Sequence, residues 1–396
     1  IQRGVPQVWR RVSSQRGRTV VIDDHELVDL ASVNYLGLDL DEEVMASISP
    51  MVQEWGVHPS WTRAVASPAP YEQLESMLAD LTGTRDTLVF PSISLLHIGV
   101  LPLLAQQGSL VVEQTAHQSI QVAADAARAT GVEVRRFDFE DLSTLDAALR
   151  AARSGPKVVA LDGVYSMSGD LPPLGDIADL AEHHGAEVYV DDAHGIGVIG
   201  SDPTPDNPYG VGGGGVIKHL GLDPDRFIYV SGLSKSFSSM AAFITLRNER
   251  ERRNLQRAGS IIFSGPVPVA SLASAIKGLE INEQRGDQLR ARLLEVTRHL
   301  ARTVDAAGFE RSSQTEFPIV NLVIGALSEV VGASKIMWDA GVLLTPSVFP
   351  AAPLNRGGLR MSLTASHTDE ELSRADNALR RLASRTAAST NGSSRS

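Results

Sequence analysis

From Thr87 onward the chain alternates short apolar runs with segments of helical period, and that alternation limits the fold more than any other feature. Thr87-Leu88-Val89-Phe90, Leu110-Val111-Val112, Val132-Glu133-Val134, Val158-Val159-Ala160-Leu161, Glu187-Val188-Tyr189-Val190 and Phe227-Ile228-Tyr229-Val230 read as strands, each too short for a buried helix. Residues 119–130, 142–153 and 177–184 read as helices between them, with Gly131 and Gly185 closing two. Nearly continuous apolar strands joined by helices mean a parallel sheet covered on both faces. In such sheets the chemistry collects beyond the carboxyl ends of the strands. The Pro/Gly stretch 202–215 lacks strand-loop-helix spacing and reads as a mobile surface loop rather than a phosphate cradle.

The flanks point to further parts. Residues 71–81 are helical, with Leu74, Met77, Leu78 and Leu81 on one face. After a strand at 242–246, a long helix at 287–307 opens a second domain with strands at 319–324 and 359–363 and a helix at 328–340. Thr368 and Glu371 make a capping box for a last helix. The expected organisation is an arm over 1–45 that includes a short arginine-bearing helix, a large domain over 46–280, a smaller α+β domain over 281–384 and a disordered Ser/Thr-rich tail over 385–396. The chain opens on Ile1 rather than methionine, so its native start is expected upstream.

Composition narrows the class. Hydrophobic content of 43% and charged content of 21% are those of a water-soluble globular protein, and a net charge of -11 argues against a nucleic-acid partner. The absence of cysteine excludes disulfides, thiolate metal sites and cysteine nucleophiles. No apolar run reaches membrane-spanning length and no signal-peptide pattern opens the chain, so a cytoplasmic enzyme is expected.

Four strand ends carry polar residues of unlike kinds. His117 follows the strand at 110–112, Ser166 the one at 158–161, Asp191 and His194 the one at 187–190, and Lys235 the one at 227–230. If these strands are parallel neighbours, the groups share one rim. A lysine there can hold a carbonyl cofactor as a Schiff base, and pyridoxal 5′-phosphate (PLP) needs the rest of the set. Asp191 suits the pyridine nitrogen, since a nearby negative charge keeps that nitrogen protonated. His194 suits the ring hydroxyl, and His117 offers a flat ring for stacking. Each residue alone also has an ordinary explanation: a solvated lysine, a helix-capping aspartate, hydrogen-bonded loop histidines. A metal site is not supported, because the Asp-His pair has no third ligand at fitting spacing.

The stretch from Val190 to Gly200 (VDDAHGIGVIG) resembles the signature of the α-oxoamine synthases, PLP-dependent transferases of fold type I. The resemblance extends in order through Asn34-Tyr35-Leu36-Gly37-Leu38, 71–83, His117-Gln118-Ser119-Ile120, Tyr165-Ser166-Met167-Ser168-Gly169-Asp170, Ser234-Lys235-Ser236-Phe237 and 359–368. It implies an α/β fold with a large, mostly parallel sheet and a smaller C-terminal domain. It also implies decarboxylative condensation of an amino acid with an acyl thioester, either acyl-CoA or an acyl carrier protein. Lys235, His117, Asp191 and His194 are then the catalytic set, with Lys235 as the base for the amino acid's α-proton. Arg360, and more weakly Asn34, would take the substrate carboxylate. The resemblance further implies a homodimer with shared active sites, in which Ser264 reaches the neighbour's phosphate.

The chain departs from that pattern around the cofactor phosphate and the acyl entrance. Where the family has Ser-Gly-aromatic it has Ser92-Ile93-Ser94, and where the family has a phosphate-binding threonine it has Gly232. Ser92, Ile93 and Ser94 are still expected at the cofactor, with Ser94, Ser231 and Ser234 as replacement hydroxyls and Ser166 beside them. Glycines usual after the lysine are Ser238, Ser239, Ala241 and Ala242, and the segment before Arg63 is His58-Pro59-Ser60-Trp61-Thr62. These changes suggest a specialised member rather than the biotin-pathway enzyme. They leave open a PLP-dependent carbon–carbon lyase or aldolase, whereas the retained lysine speaks against a non-catalytic scaffold subunit.

Overall fold

In the computed structural model, residues 4–349 and 352–393 are described, with side chains as far as 386. The chain divides into two compact units. One comprises Leu38–Tyr165 and Leu171–Asp287; the other comprises the residues up to Gly37, Ser166–Asp170 and those from Gln288 onward. The expected boundaries were 45/46 and 280/281, whereas this division falls at Gly37/Leu38 and Asp287/Gln288.

In the second of these units the leading residues form strands β1 (Val12–Arg16), β2 (Thr19–Ile22) and β3 (His25–Asp29). Among the described residues, the arginine-bearing segment expected to include a helix forms turns at 6–9 and then strand β1, and Arg3 lies outside the described residues. β1 and β2 pair antiparallel with Arg16 opposite Thr19. That leaves a two-residue turn in which Gly17 adopts φ +56°, a conformation glycine takes without strain.

The Leu38–Asp287 unit holds the sheet anticipated from the alternation. Its strands are β4 (Asp86–Phe90), β5 (Ser109–Glu113), β6 (Glu133–Phe137), β7 (Lys157–Asp162), β8 (Ala186–Asp191), β9 (Phe227–Gly232) and β10 (Ala242–Leu246). The order is β4-β10-β9-β8-β7-β5-β6. β5 to β9 pair in parallel, and β10 runs antiparallel to both its neighbours. Consequently β5, β7, β8 and β9, which carry the four polar strand ends, lie side by side.

A helix over Ile93–Ala105 was not anticipated. Its sequence is apolar nearly all round and includes Gly99 and Pro102, so it lacks the one-sided period that marks a surface helix. Leu96, His97, Val100, Leu101 and Ala105 are buried, and the helix packs on helix Gln118–Ala129 and on the sheet. Burial of each such leucine or valine stabilises the unit by about 1.5–3 kcal/mol. The 202–215 stretch is not a loose surface loop either. Gly213, Gly214 and Gly215 are buried, Gly197 N–H donates to the Gly213 carbonyl (2.8 Å) and Gly215 N–H to that of Ile199 (2.8 Å).

After helix Val269–Ala306, which begins well before the expected 287, come β11 (Ile319–Gly325), helix Leu327–Asp339, β12 (Val342–Leu343), β13 (Thr345–Ser347) and β14 (Gly357–Ser362). β14 lies between β11 and β13, while β12 joins the leading strands through a parallel pairing with β3. This pairing ties the supposed arm into a sheet. The capping box forms: Thr368 N–H and hydroxyl donate to Glu371 (2.9 and 3.0 Å), and Glu371 N–H donates back to Thr368 (3.3 Å). The tail expected to be disordered from 385 continues the last helix, Asp369–Ser393, and residues 394–396 lie outside the described residues. No helix among the described residues is long and apolar enough to cross a membrane.

Candidate active site

The parallel register of β7 and β8 sets Asp162 directly opposite Asp191. Both are buried, at 4% and 5% exposure, so two carboxyl groups share one desolvated corner. Like charges so placed do not both ionise readily, and the surroundings separate them. Burial would raise Asp191, but its close contact and hydrogen bond with His97, then the charges of Lys235 and His117, hold its carboxyl below the usual range. Burial and the neighbouring Asp191 raise Asp162 well above it. Asp162 accepts the His117 backbone N–H at both oxygens (3.2 and 3.0 Å), which fixes the start of helix Gln118–Ala129 and the histidine that caps it. Sequence inspection missed Asp162; its place as the last residue of an apolar strand was the available signal.

Asp192 is the hub of the signature loop. Tyr229 hydroxyl (2.7 Å), Val216 N–H (2.7 Å) and Gly195 N–H (3.1 Å) all donate to its carboxylate. A Cβ at Gly195 would lie 2.1 Å from Asp192 Oδ1, and one at Gly215 would lie 2.4 Å from Oδ2, so the backbone closes around it. His194 is carried within this loop and is buried. Ser231 is spent beneath the rim, its hydroxyl donating to the Asp192 carbonyl (3.0 Å) and tying β9 to β8. This occupies the hydroxyl that sequence reading reserved for phosphate.

Lys235 sits half-buried in a tight turn after β9, closed by Leu233 N–H to the Ala241 carbonyl (2.8 Å) and Ser239 N–H to that of Leu233 (3.1 Å). Ser234 beside it is exposed. Ser92 accepts the N–H of Leu95 (3.3 Å) as the cap of helix Ile93–Ala105, and Ser94 is exposed in its first turn. Ile93 packs against Gly232. Ser264 donates to the Ser260 carbonyl (2.5 Å) just after the short helix Gly259–Ile262.

The other unit holds its own polar group. Arg360, on β14, donates from Nη1 to the Ser166 carbonyl (2.8 Å), while its buried Nε has no hydrogen-bond partner. Burial lowers its pKa, and no carboxylate of the described residues pairs with it. Tyr35 is buried nearby, and Asn34 lies in the adjacent turn, its carbonyl accepting the N–H of Gly37 (2.8 Å).

The profile of the aminotransferase class I and II family matches residues 25–379. The 8-amino-7-oxononanoate synthase of Symbiobacterium thermophilum is 30% identical over 92% of this chain and 90% of its own length, and that of Dechloromonas aromatica 30% over 96% of each. The chain belongs to this family, in its α-oxoamine synthase branch. A structure of SPT with a PLP internal aldimine shares the fold of this synthase at 25% identity and a TM-score of 0.85, over 95% of this chain and 92% of that one. Sphingomonas wittichii serine palmitoyltransferase gives a TM-score of 0.87 at 24% identity, over 96% and 93%. The α-oxoamine synthase is accordingly a PLP-dependent acyltransferase.

The donor set of this synthase fits the cofactor. The Leu38–Asp287 unit offers an amine, a buried carboxylate held ionised and two histidines around adjoining strand ends. At the start of helix Ile93–Ala105 the Ser92 side chain and carbonyl take the N–H groups of Leu95 and Leu96, not those of Ile93 and Ser94. Helix starts of this kind suit phosphate.

Proposed function

We propose that the chain joins the α-carbon of an amino acid to the acyl group of a thioester, releasing the thiol and carbon dioxide and leaving an α-amino ketone. PLP, when bound, supplies the electron sink for the charge left on the α-carbon. Lys235 would supply the amine that holds the cofactor's aldehyde carbon and, when free, a base for the α-proton. Asp191 would meet the ring nitrogen, His117 would cover the ring face, and His194 and Ser166 would serve the ring hydroxyl. Ser94, Ser234 and the first N–H groups of helix Ile93–Ala105 hold the phosphate. Ser92 supports them as the helix cap, while Ile93 takes up space.

The observation that carries the amino-acid half is Arg360, a half-buried guanidinium whose buried Nε is unpartnered and which has no carboxylate among the described residues. Leaving such a group unpaired costs about 1–3 kcal/mol or more, and an incoming carboxylate removes that cost. Asn34 assists it. The thioester comes from coenzyme A or an acyl carrier protein. The rebuilt residues at 58–62, 238, 239, 241 and 242 favour a substrate pair different from that of the 8-amino-7-oxononanoate synthases. A cytoplasmic homodimer with shared active sites, Ser264 reaching its neighbour's phosphate, is the working form.

The test is the visible absorbance of the PLP-loaded protein against a panel of amino acids, then carbon dioxide release on adding acyl thioesters. A spectral response to one amino acid with thioester-dependent release is expected. Cleavage without thioester would support a lyase instead, and no response to any amino acid would sink the proposal.

A further inference from the structure

Tyr189 and Asp191 alternate with Val190 along β8, so their side chains leave the sheet on the same face. Helix Ile93–Ala105 covers that face, and His97 in it spans the two. Its Nδ1 lies 2.8 Å from the Tyr189 hydroxyl and its Nε2 2.9 Å from Asp191 Oδ2, with His97 and Tyr189 both at 0% exposure. With a neutral ring, one placement of protons satisfies every atom: Tyr189 O–H donates to Nδ1, and Nε2–H donates to Asp191. An imidazolium would donate at both nitrogens and leave the buried Tyr189 proton with no acceptor among the described residues.

The second oxygen, Oδ1, accepts the N–H of Ala193 (3.0 Å). Each carboxylate oxygen therefore carries one protein donor, which fixes the plane of the group and requires it to accept rather than donate. The charged and titratable groups facing Asp191 are His97 from the helix, Asp162 from β7, His117 from the loop after β5 and Lys235 from the turn after β9. From the covered side of the sheet His97, with Tyr189 behind it, hydrogen-bonds the carboxylate directly.

We propose that His97 is a positioning residue for the cofactor: its Nε2–H, backed by Tyr189, holds Asp191 as an oriented carboxylate and so sets how strongly the PLP ring nitrogen is kept protonated. This rests on Asp191 being the ring-nitrogen partner. Losing the donor would leave a buried carboxylate easier to protonate, and a less cationic ring would draw less charge from the Lys235 linkage.

The experiment uses the full-length protein loaded with PLP. Its readouts are the PLP dissociation constant by equilibrium dialysis and the pH midpoint of the visible absorbance band, with circular dichroism and thermal unfolding to establish folding. His97→Phe should weaken PLP binding about tenfold or more, as expected for loss of a charge-assisted hydrogen bond, and should raise the pH midpoint by about one unit. His97→Gln, whose amide can place a donor near the same spot, should recover most of both. Tyr189→Phe removes only a hydroxyl and gives a second route if His97→Phe does not fold; it should move the midpoint the same way by less. A folded His97→Phe with wild-type affinity and midpoint would overturn the proposal, as would a Tyr189→Phe protein unchanged in both when His97→Phe does not fold. Failure of the wild-type protein to take up PLP would sink the role of Asp191 itself, a separable result.

Discussion

Ile93 occupies the space that a side chain at position 232 would need: a Cβ on Gly232 would stand 3.3 Å from the Ile93 Cβ and 3.4 Å from its Cγ2. The two departures from the α-oxoamine synthase pattern around the phosphate are therefore one exchange, in which a branched side chain on the helix start replaces one at the end of β9. Gly232→Thr alone should overpack this contact and cost about 1–3 kcal/mol of stability. Ile93→Gly combined with Gly232→Thr should recover most of that loss and tighten PLP binding by adding a hydroxyl. Thermal unfolding and PLP titration of the single and double variants check this. Additive losses would show that the two positions are not coupled.

Arg360 should govern affinity for the amino acid. Arg360→Lys keeps the charge but loses the planar fork, and Arg360→Ala loses both. We expect KM for the amino acid to rise by about tenfold or more in Arg360→Ala, with KM for the thioester little changed. Steady-state kinetics with each substrate varied in turn decides it, and an unchanged amino-acid KM would remove Arg360 from the carboxylate site.

Asp192 should make stability depend on pH. Burial pushes its carboxyl up from 3.8 to about 7, although the donors Tyr229, Val216 and Gly195 oppose this. A folded-state value above the unfolded one means the stabilisation is complete below about pH 4 and is lost as pH rises through about 7. The loss is on the order of 4 kcal/mol. Denaturant unfolding of wild type and Asp192→Asn across this window tests it. The variant should be less stable at pH 5, and the gap should narrow by pH 8; a constant gap would contradict the shift.

The capping box at the last helix also anchors the leading strands. Glu371 accepts not only from Thr368 but from Arg18 N–H (3.1 Å) and the Thr19 hydroxyl (3.3 Å). Thr368→Ala should cost about 1 kcal/mol, a usual figure for a lost cap, and Glu371→Ala distinctly more, since it also leaves a buried backbone N–H unpaired. Equal losses in chemical denaturation would show that the link to β2 contributes nothing.

Much of the sheet was legible because its strands are buried on both faces and therefore read as unbroken apolar runs. Lys235, Asp191, His117 and His194 stood out for the complementary reason: polar residues immediately beyond such runs are conspicuous. What stayed hidden were groups whose partners are distant in sequence. His97 sits in a helix without amphipathic period, and its meaning comes from Tyr189 and Asp191, more than ninety positions away. Asp162 and Asp192 gain their meaning only from the β7–β8 register and from the glycines at 195 and 215 that close around Asp192. Nor does local sequence reveal that the Ser231 hydroxyl turns down to the Asp192 carbonyl. The 202–215 glycines looked mobile because composition cannot distinguish a loose loop from one packed closely against 195–201.

The central claim is that Lys235, at the rim built by β5, β7, β8 and β9, carries the cofactor. Borohydride reduction of the PLP-loaded protein, followed by peptide mass spectrometry, tests it most directly. The account predicts a pyridoxyl group on the peptide containing Lys235 and none on Lys157, Lys218, Lys277 or Lys335. Label on one of those lysines instead, or no label at saturating PLP, would contradict it.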